Sequence, residues 1–272
     1  MTIHVTELLQ VLETFAPEAL AEKWDNVGLL VGSPSNIVEK ILIGLDPTNT
    51  LVDEAVKIGA DTVITHHPVI FKPLSAIHTN DPAGRLLQKA LVANINIIGC
   101  HTNLDSAVDG VNDVLASALG LTELEPLIPT ATAEYSSSGL GRIGIYRQPL
   151  DRDEFIRQLF DVLQLTCFDV AGTLPDKISK VAMCGGSGSD FAAAAYAIGA
   201  DVYLSAEIKH ATAVWANEVG FAVIDGGHYA TEKPVTRYLE QKLTEIVGEK
   251  QWQIKIHLTE TEKPPFVTVY KI

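Results

Sequence analysis

The stretch Asp61-Thr62-Val63-Ile64-Thr65-His66-His67-Pro68 decides how this chain reads. Thr62–Thr65 is a run of β-branched residues that follows Gly59-Ala60 and ends before Pro68, which predicts a short buried strand. The two histidines therefore fall where the strand stops. In open α/β sheets the carboxyl ends of strands face the ligand crevice. Successive residues at a strand end point in different directions, so a His-His pair there suits two metal ions better than one.

Two further strand ends repeat the pattern. Cys100-His101-Thr102-Asn103-Leu104-Asp105 follows the apolar run Ile95-Asn96-Ile97-Ile98-Gly99. Asp225-Gly226-Gly227-His228-Tyr229-Ala230-Thr231-Glu232 follows Phe221-Ala222-Val223-Ile224. Each end delivers histidine with a carboxylate or a second histidine, the ligand types of Zn, Mn, Fe and Ni sites. A lone strand-end histidine is usually a packed or solvated polar residue, but three such ends in one chain are hard to ascribe to chance.

An internal repeat organises the rest. Ile58-Gly59-Ala60-Asp61 recurs 140 positions later as Ile198-Gly199-Ala200-Asp201, and Lys40-Ile41-Leu42 matches Lys180-Val181-Ala182 at the same offset. Each half reads as a strand (Ile41–Leu45; Val181–Cys184), a helix ending at glycine (Leu51–Ile58; Phe191–Ile198) and a second strand (Thr62–Thr65; Val202–Ser205). A further helix, a strand and a His-bearing loop complete each half. Such alternation argues for parallel strands with crossover helices. The expected fold is α/β: two similar lobes, residues 1–130 and 131–272, with mainly parallel sheets, some exchange of chain between lobes, and the metal site in the crevice between them. Between the halves the sequence predicts a loop over 131–139, a strand over Arg142–Arg147 and a helix over Glu154–Leu163 capped by Asp151 or Asp153. A long helix from Glu232 to about Val247 and strands Trp252–Leu258 and Phe266–Tyr270 are expected at the end.

Bulk composition narrows the function. The 272 residues are 47% hydrophobic and 20% charged, enough for a sizeable core. A net charge of −14 disfavours nucleic acid and anionic membrane surfaces as partners. The three cysteines, Cys100, Cys167 and Cys184, form no CxxC, which argues against a disulfide framework or a zinc knuckle. No signal peptide and no membrane-length apolar run is read, so a cytoplasmic location is expected.

His66, His67, Asp105, His228 and Glu232 form a five-ligand set. Asp105 and Glu232 suit bridging positions, since one carboxylate can join two ions, and the histidines suit terminal ones. Ions about 3.5–4 Å apart can activate a water and polarise a substrate oxygen. His228 and Glu232 are four apart and share one face of a helix that opens there. His101 is a sixth ligand, a hydrogen-bonding support or a proton shuttle, the last two being favoured. By the repeat, Glu207 in Ser205-Ala206-Glu207-Ile208-Lys209-His210 occupies the place of His67. Either it faces the same crevice and acts on substrate or water, or it opens a solvated helix. The run Met183-Cys184-Gly185-Gly186-Ser187-Gly188-Ser189-Asp190 either cradles an anion on its amides or lets the backbone turn tightly near the metals. In Trp24-Asp25-Asn26-Val27-Gly28-Leu29-Leu30-Val31-Gly32, polar Asp25-Asn26 interrupts an apolar run. It is a simple turn, or a pocket wall that brings Trp24 or Asn26 near the substrate.

Taken in order, WDNVGLLVG, THHPVIF, HTNLD, CGGSG and DGGHYATE resemble the NIF-three-like family, also known as GTP cyclohydrolase I type 2 homologues. The resemblance spans essentially the whole chain, in the compact form without the inserted domain that some members carry. It implies two similar α/β lobes, a dinuclear centre on His66, His67, Asp105, His228 and Glu232, and a toroidal homohexamer. His101 matches the histidine of the family's HTxLD motif. SAEIKH departs from the TGDIK or TGEIK of relatives, which leaves the role of Glu207 open. Two divalent ions per subunit are expected, from among Zn, Mn, Fe, Co and Ni. The leading function is a metal-dependent hydrolase of a small molecule, with His101 and Glu207 moving protons. The alternatives are a metal-handling protein and a regulatory oligomeric scaffold.

Overall fold

A computed structural model describes residues 2–131 and 133–269. The chain divides into two compact units, Met1–Leu104 with Thr236–Ile272, and Asp105–Val235. This differs from a linear division at residue 130, for two reasons of strand pairing. Strand Lys255–Leu258 pairs in parallel with Lys40–Gly44, Lys255 opposite Lys40 and Leu258 opposite Ile43, which returns the C-terminal segment to the first unit. Strand Thr122–Pro129 pairs antiparallel with Gly139–Asp151, which carries residues before 130 into the second.

The first unit holds a five-stranded sheet in the order Lys255–Leu258, Lys40–Gly44, Thr62–Thr65, Asn96–Gly99, Gly28–Val31. The first four strands run parallel and Gly28–Val31 is antiparallel at the edge. Leu42, Val63 and Ile97 of the sheet pack against Leu51, Val52 and Ala55 of helix Asn49–Ile58 and Leu86, Leu87 and Ala90 of helix Pro82–Val92. The first of these helices is capped at its start by the Thr48 side chain, which accepts from the Leu51 amide, and at its end by Gly59 at φ 67°. Glycine takes that left-handed conformation without a Cβ penalty, as the sequence predicts.

The second unit holds a six-stranded sheet in the order Thr122–Pro129, Gly139–Asp151, Lys177–Ser187, Val202–Ala206, Ala222–Asp225, Asp169–Ala171. Only the pairings among Lys177–Ser187, Val202–Ala206 and Ala222–Asp225 are parallel; the outer strands are antiparallel. The second sheet is thus mixed, not mainly parallel. The Thr122–Asp151 hairpin adds strands through a short connection that a parallel crossover does not allow. Alternation along the inner strands covers both faces. Val181, Met183, Val202 and Leu204 meet Leu115, Phe155 and Leu159, while Ala182, Cys184 and Tyr203 meet Ala192, Ala195 and Ala216.

The repeat is legible in hydrogen bonds. Asp61 Oδ2 accepts from the Glu39 and Lys40 amides at 2.8 and 2.9 Å, and Asp201 Oδ2 accepts from the Ser179 and Lys180 amides at 2.8 Å each. Lys40 Nζ donates to the Ile58 carbonyl as Lys180 Nζ does to that of Ile198. Each of these residues has its counterpart at the 140-residue offset, which accords with duplication of one α/β lobe.

Other elements differ from expectation near the C-terminus. The long helix is two, His228–Glu232 and Pro234–Glu249, with Pro234 opening the second. The strand expected from Trp252 begins at Lys255. Residues 266–269 carry no strand, and Tyr270 lies outside the described residues.

Candidate metal-binding groups

In the first unit, His66 and His67 directly follow strand Thr62–Thr65, and His101 follows Asn96–Gly99. These neighbouring parallel strands bring one ring nitrogen of each histidine within 4.8 Å of the others. The ring centroids are 4.9 Å apart for His66–His67, 5.3 Å for His66–His101 and 5.5 Å for His67–His101.

Each ring is held through Nδ1. His66 Nδ1 donates to the Cys100 carbonyl at 2.8 Å, His67 Nδ1 to Asp46 Oδ1 at 2.8 Å, and His101 Nδ1 to Asp25 Oδ1 at 2.8 Å. A carbonyl or carboxylate acceptor at Nδ1 fixes the tautomer, so Nε2 carries the ligating lone pair. Burial alone would raise the Asp25 carboxyl. Hydrogen bonds from His101, Thr102 and the Asn26 amide override that and hold it well below the usual carboxylate range. Asp25 is thus an ionised, enclosed anchor: Oδ2 accepts from the Thr102 amide at 3.0 Å and from its hydroxyl at 2.5 Å. Asp46 is held in turn by Glu262, whose Oε1 accepts from the Leu45 and Asp46 amides at 2.8 and 2.9 Å.

In the second unit, His228 opens the helix that follows strand Ala222–Asp225, and Glu232 stands one turn on. His228 Nε2 lies 3.0 Å from Glu232 Oε2, and a carboxylate oxygen of Glu232 lies within 4.8 Å of one from Asp105. His228 Nδ1 donates to Glu207 Oε1 at 3.0 Å, the same arrangement as in the other three histidines. Glu207 sits at the end of Val202–Ala206 with φ 53°, a left-handed backbone that few non-glycine residues adopt. The loop is tied down by Asp225, whose carboxylate accepts from the Ile208 amide at 2.9 Å and the Gly227 amide at 3.0 Å. Glu207 thus contacts a candidate ligand, and its side chain is 59% exposed. Asp105 is steadied through its backbone. Asn112 Nδ2 donates to the Asp105 carbonyl at 3.0 Å while Asn112 Oδ1 accepts from the Gly185 amide at 2.8 Å.

The glycine-rich turn answers to packing. A Cβ on Gly186, at φ 66°, would stand 2.1 Å from Glu232 Oε1 and 3.3 Å from His228 Nε2. Its amides are committed: Gly185 N to Asn112, Gly186 N to Thr231 Oγ1 at 3.0 Å and Gly188 N to Ser205 Oγ at 3.0 Å. Those three amides are thus already taken within the turn's own packing. Burial, then the Asp105 and Glu232 charges, push the Cys184 thiol up, so it is a neutral packed residue at ordinary pH. His4, His78 and His257 are exposed and belong to neither donor group. Sequence reasoning missed Asp46 and Asn112 and assigned Asp25 no partner. Asp46 stands two residues past the end of Lys40–Gly44, so the strand-end criterion that found the histidines also covers it.

Two α/β units with histidine and carboxylate donors at the ends of parallel strands define the class. The chain belongs to the Duf34/NIF3 (NGG1p interacting factor 3) family, which matches residues 3–265. It is 32% identical over 266 residues to the GTP cyclohydrolase 1 type 2 homolog of Streptomyces coelicolor, covering 97% of this chain and 93% of that one. The Clostridium acetobutylicum homolog of the same name is 34% identical over 243 residues, covering 89% and 90%. A Bacillus cereus protein related to NIF3 has a similar crystal structure, with TM-score 0.92, 27% identity and coverage of 98% of this chain and 99% of that one.

Proposed function

We propose that this protein is a dinuclear metal-dependent hydrolase of a small molecule, with His66, His67, Asp105, His228 and Glu232 holding two divalent ions. The observation that carries this reading is the anchoring of every candidate histidine through Nδ1 to a carbonyl or carboxylate, the arrangement that orients metal-ligating histidines. The mixed nitrogen and oxygen set fits Zn, Mn, Fe, Co or Ni. When bound, two such ions would supply a water acidified to near neutral pH and would polarise a substrate oxygen. Asp105 and Glu232 would each offer two carboxylate oxygens to the ions. His101, steadied by Asp25, moves a proton at Nε2. Glu207 holds the His228 tautomer and, from its exposed side, relays protons to solvent.

The relatives' name directs the first substrate panel to GTP, other nucleotides, phosphoesters and cyclic amides. The test is turnover by metal-reconstituted protein beside Asp105→Ala. Product that disappears in the variant supports the reading. An inert wild type with metal confirmed in the preparation overturns it.

Exposure of the His228 and Glu207 side chains, 32% and 59%, favours metal handling as the second reading. That reading requires rapid exchange of ion to a chelator or apoprotein, and tightly retained metal rules it out. The family resemblance extends the proposal to a cytoplasmic homohexamer, for which light scattering on the purified chain is the check. Among the described residues no helix is long and apolar enough to cross a membrane.

A further inference from the structure

We infer that Trp24 and Phe71 form a stacking subsite for a flat conjugated ring in the substrate; this names the substrate class for the metal-centre reading above and rests on it. Trp24 is 58% exposed and Phe71 43%. Single exposed apolar residues are ordinary. These two form a pair, with centroids 5.7 Å apart and planes tilted by 60°. Both also stand edge-on to His101, at 6.2 and 6.1 Å, beside the cluster with His66 and His67.

The rings are fixed in place while open to solvent. Asp25, next to Trp24, is clamped by His101 and Thr102, and Thr102 Oγ1 accepts from the Glu22 amide at 2.9 Å. Asn26 Nδ2 donates to the Ile70 carbonyl at 2.5 Å, which ties the Trp24 loop to the residue before Phe71. The same short segment thus orients a candidate metal-site histidine and holds two exposed rings next to it. Folding leaves these faces uncovered, and a ligand ring stacked on them removes apolar surface from water.

A cation seated on the rings is the competing occupant. The flanking residues argue against it. Lys23 and Lys72, adjacent in sequence to the two aromatics, are both exposed, whereas of the two carboxylates beside Trp24, Asp25 is enclosed with a side chain 0% exposed and Glu22 is half-buried. The setting suits a flat ring that is neutral or bears an acidic substituent. Stacking of this kind tolerates different ring chemistries because every conjugated ring has a π face.

The experiment uses matched flat and puckered acids of equal charge, orotate against dihydroorotate and benzoate against cyclohexanecarboxylate. Each is titrated calorimetrically into metal-free and zinc-loaded protein. The expected result is that the flat member of each pair binds about tenfold tighter or more, the affinity that 1.4 kcal/mol represents. Trp24→Leu with Phe71→Leu should abolish that preference while zinc stoichiometry and affinity stay at the wild-type values. No preference for the flat acids in the wild type, or a preference that survives in the double variant, overturns the inference, as does tighter binding of tetramethylammonium than of orotate. A flat-ring preference that depends on both aromatics in a protein that fails to bind zinc supports the subsite and overturns the metal-centre reading instead.

Discussion

A methyl group on Gly186 would stand 2.1 Å from Oε1 of Glu232. The strand end that lacks a donor therefore serves the site by leaving room for one. Gly186 also has φ 66°, so alanine is strained there in two ways.

Gly186→Ala should accordingly displace the Glu232 carboxylate and weaken metal retention more than it weakens the fold. The backbone alone accounts for about 1–2 kcal/mol. A loss of metal affinity on the order of 10–100-fold is expected, comparable to removing a hydrogen-bonded support behind a ligand. Chelator competition with a metal-sensitive dye reads the affinity, and urea melts read the stability.

Asp46→Asn should loosen His67, because an amide oxygen accepts less strongly from Nδ1 than an ionised carboxylate. Metal affinity is expected to fall about 10-fold or more with little change in melting temperature. Glu262→Ala acts one step further back, through the Leu45 and Asp46 amides, and should lower affinity in the same direction by a smaller factor. An Asp46→Asn protein with wild-type metal affinity would show that His67 is no ligand.

Arg142 is 1% exposed and closes around the chain next to Asp105. It pairs with Asp113 Oδ2 at 2.7 Å and donates to the carbonyls of Gly139, Gly141 and Ala107 at 2.7, 2.8 and 2.8 Å. Arg142→Met leaves Asp113 without its guanidinium and three carbonyls without their donor. The expected loss is about 3–5 kcal/mol, measured by denaturant unfolding. Asp113→Asn, which keeps an acceptor, should cost less.

The acid side of the stability profile has one assignable contributor. Glu54 is partly buried, which alone would raise its carboxyl. Hydrogen bonds from the Glu260 amide and the Thr259 and Thr261 hydroxyls outweigh this and lower it from its ordinary 4.5. A folded-state pKa below the unfolded one stabilises above the unfolded value and is lost as pH falls through the folded value. The stability gap between wild type and Glu54→Gln should thus be constant from pH 7 to about 5 and shrink below about 4.5. Thermal melts from pH 7 to 3 check it; a gap that widens on acidification would refute the assignment.

Much of this was legible because the decisive signals are local. Thr62–Thr65 is β-branched and bounded by turn residues, so its strand and the strand-end place of His66 and His67 follow from the run itself. The same holds for His101 after Asn96–Gly99 and His228 after Ala222–Asp225. Gly59 and Gly199 mark helix ends because only glycine takes φ 67° and 72° freely. The mixed second sheet was not legible, because Gly139–Asp151 reads as a strand whichever neighbour it pairs with. The division of the chain was illegible for a similar reason. Lys255–Leu258 carries no mark of its partner, and its pairing with Lys40–Gly44 bridges more than two hundred residues.

By itself the sequence determined which side chains stand at strand ends, since alternation, turn residues and helix caps act within a few positions. The tertiary structure alone decided what stands behind those side chains. Asp25 reaches His101 across 76 positions, and Asp46 reaches His67 across 21. Gly186 owes its identity to Glu232, a neighbour in space and not in sequence. Hydrogen bonds of this kind depend on a few tenths of an ångström and on direction, which only the packed chain sets.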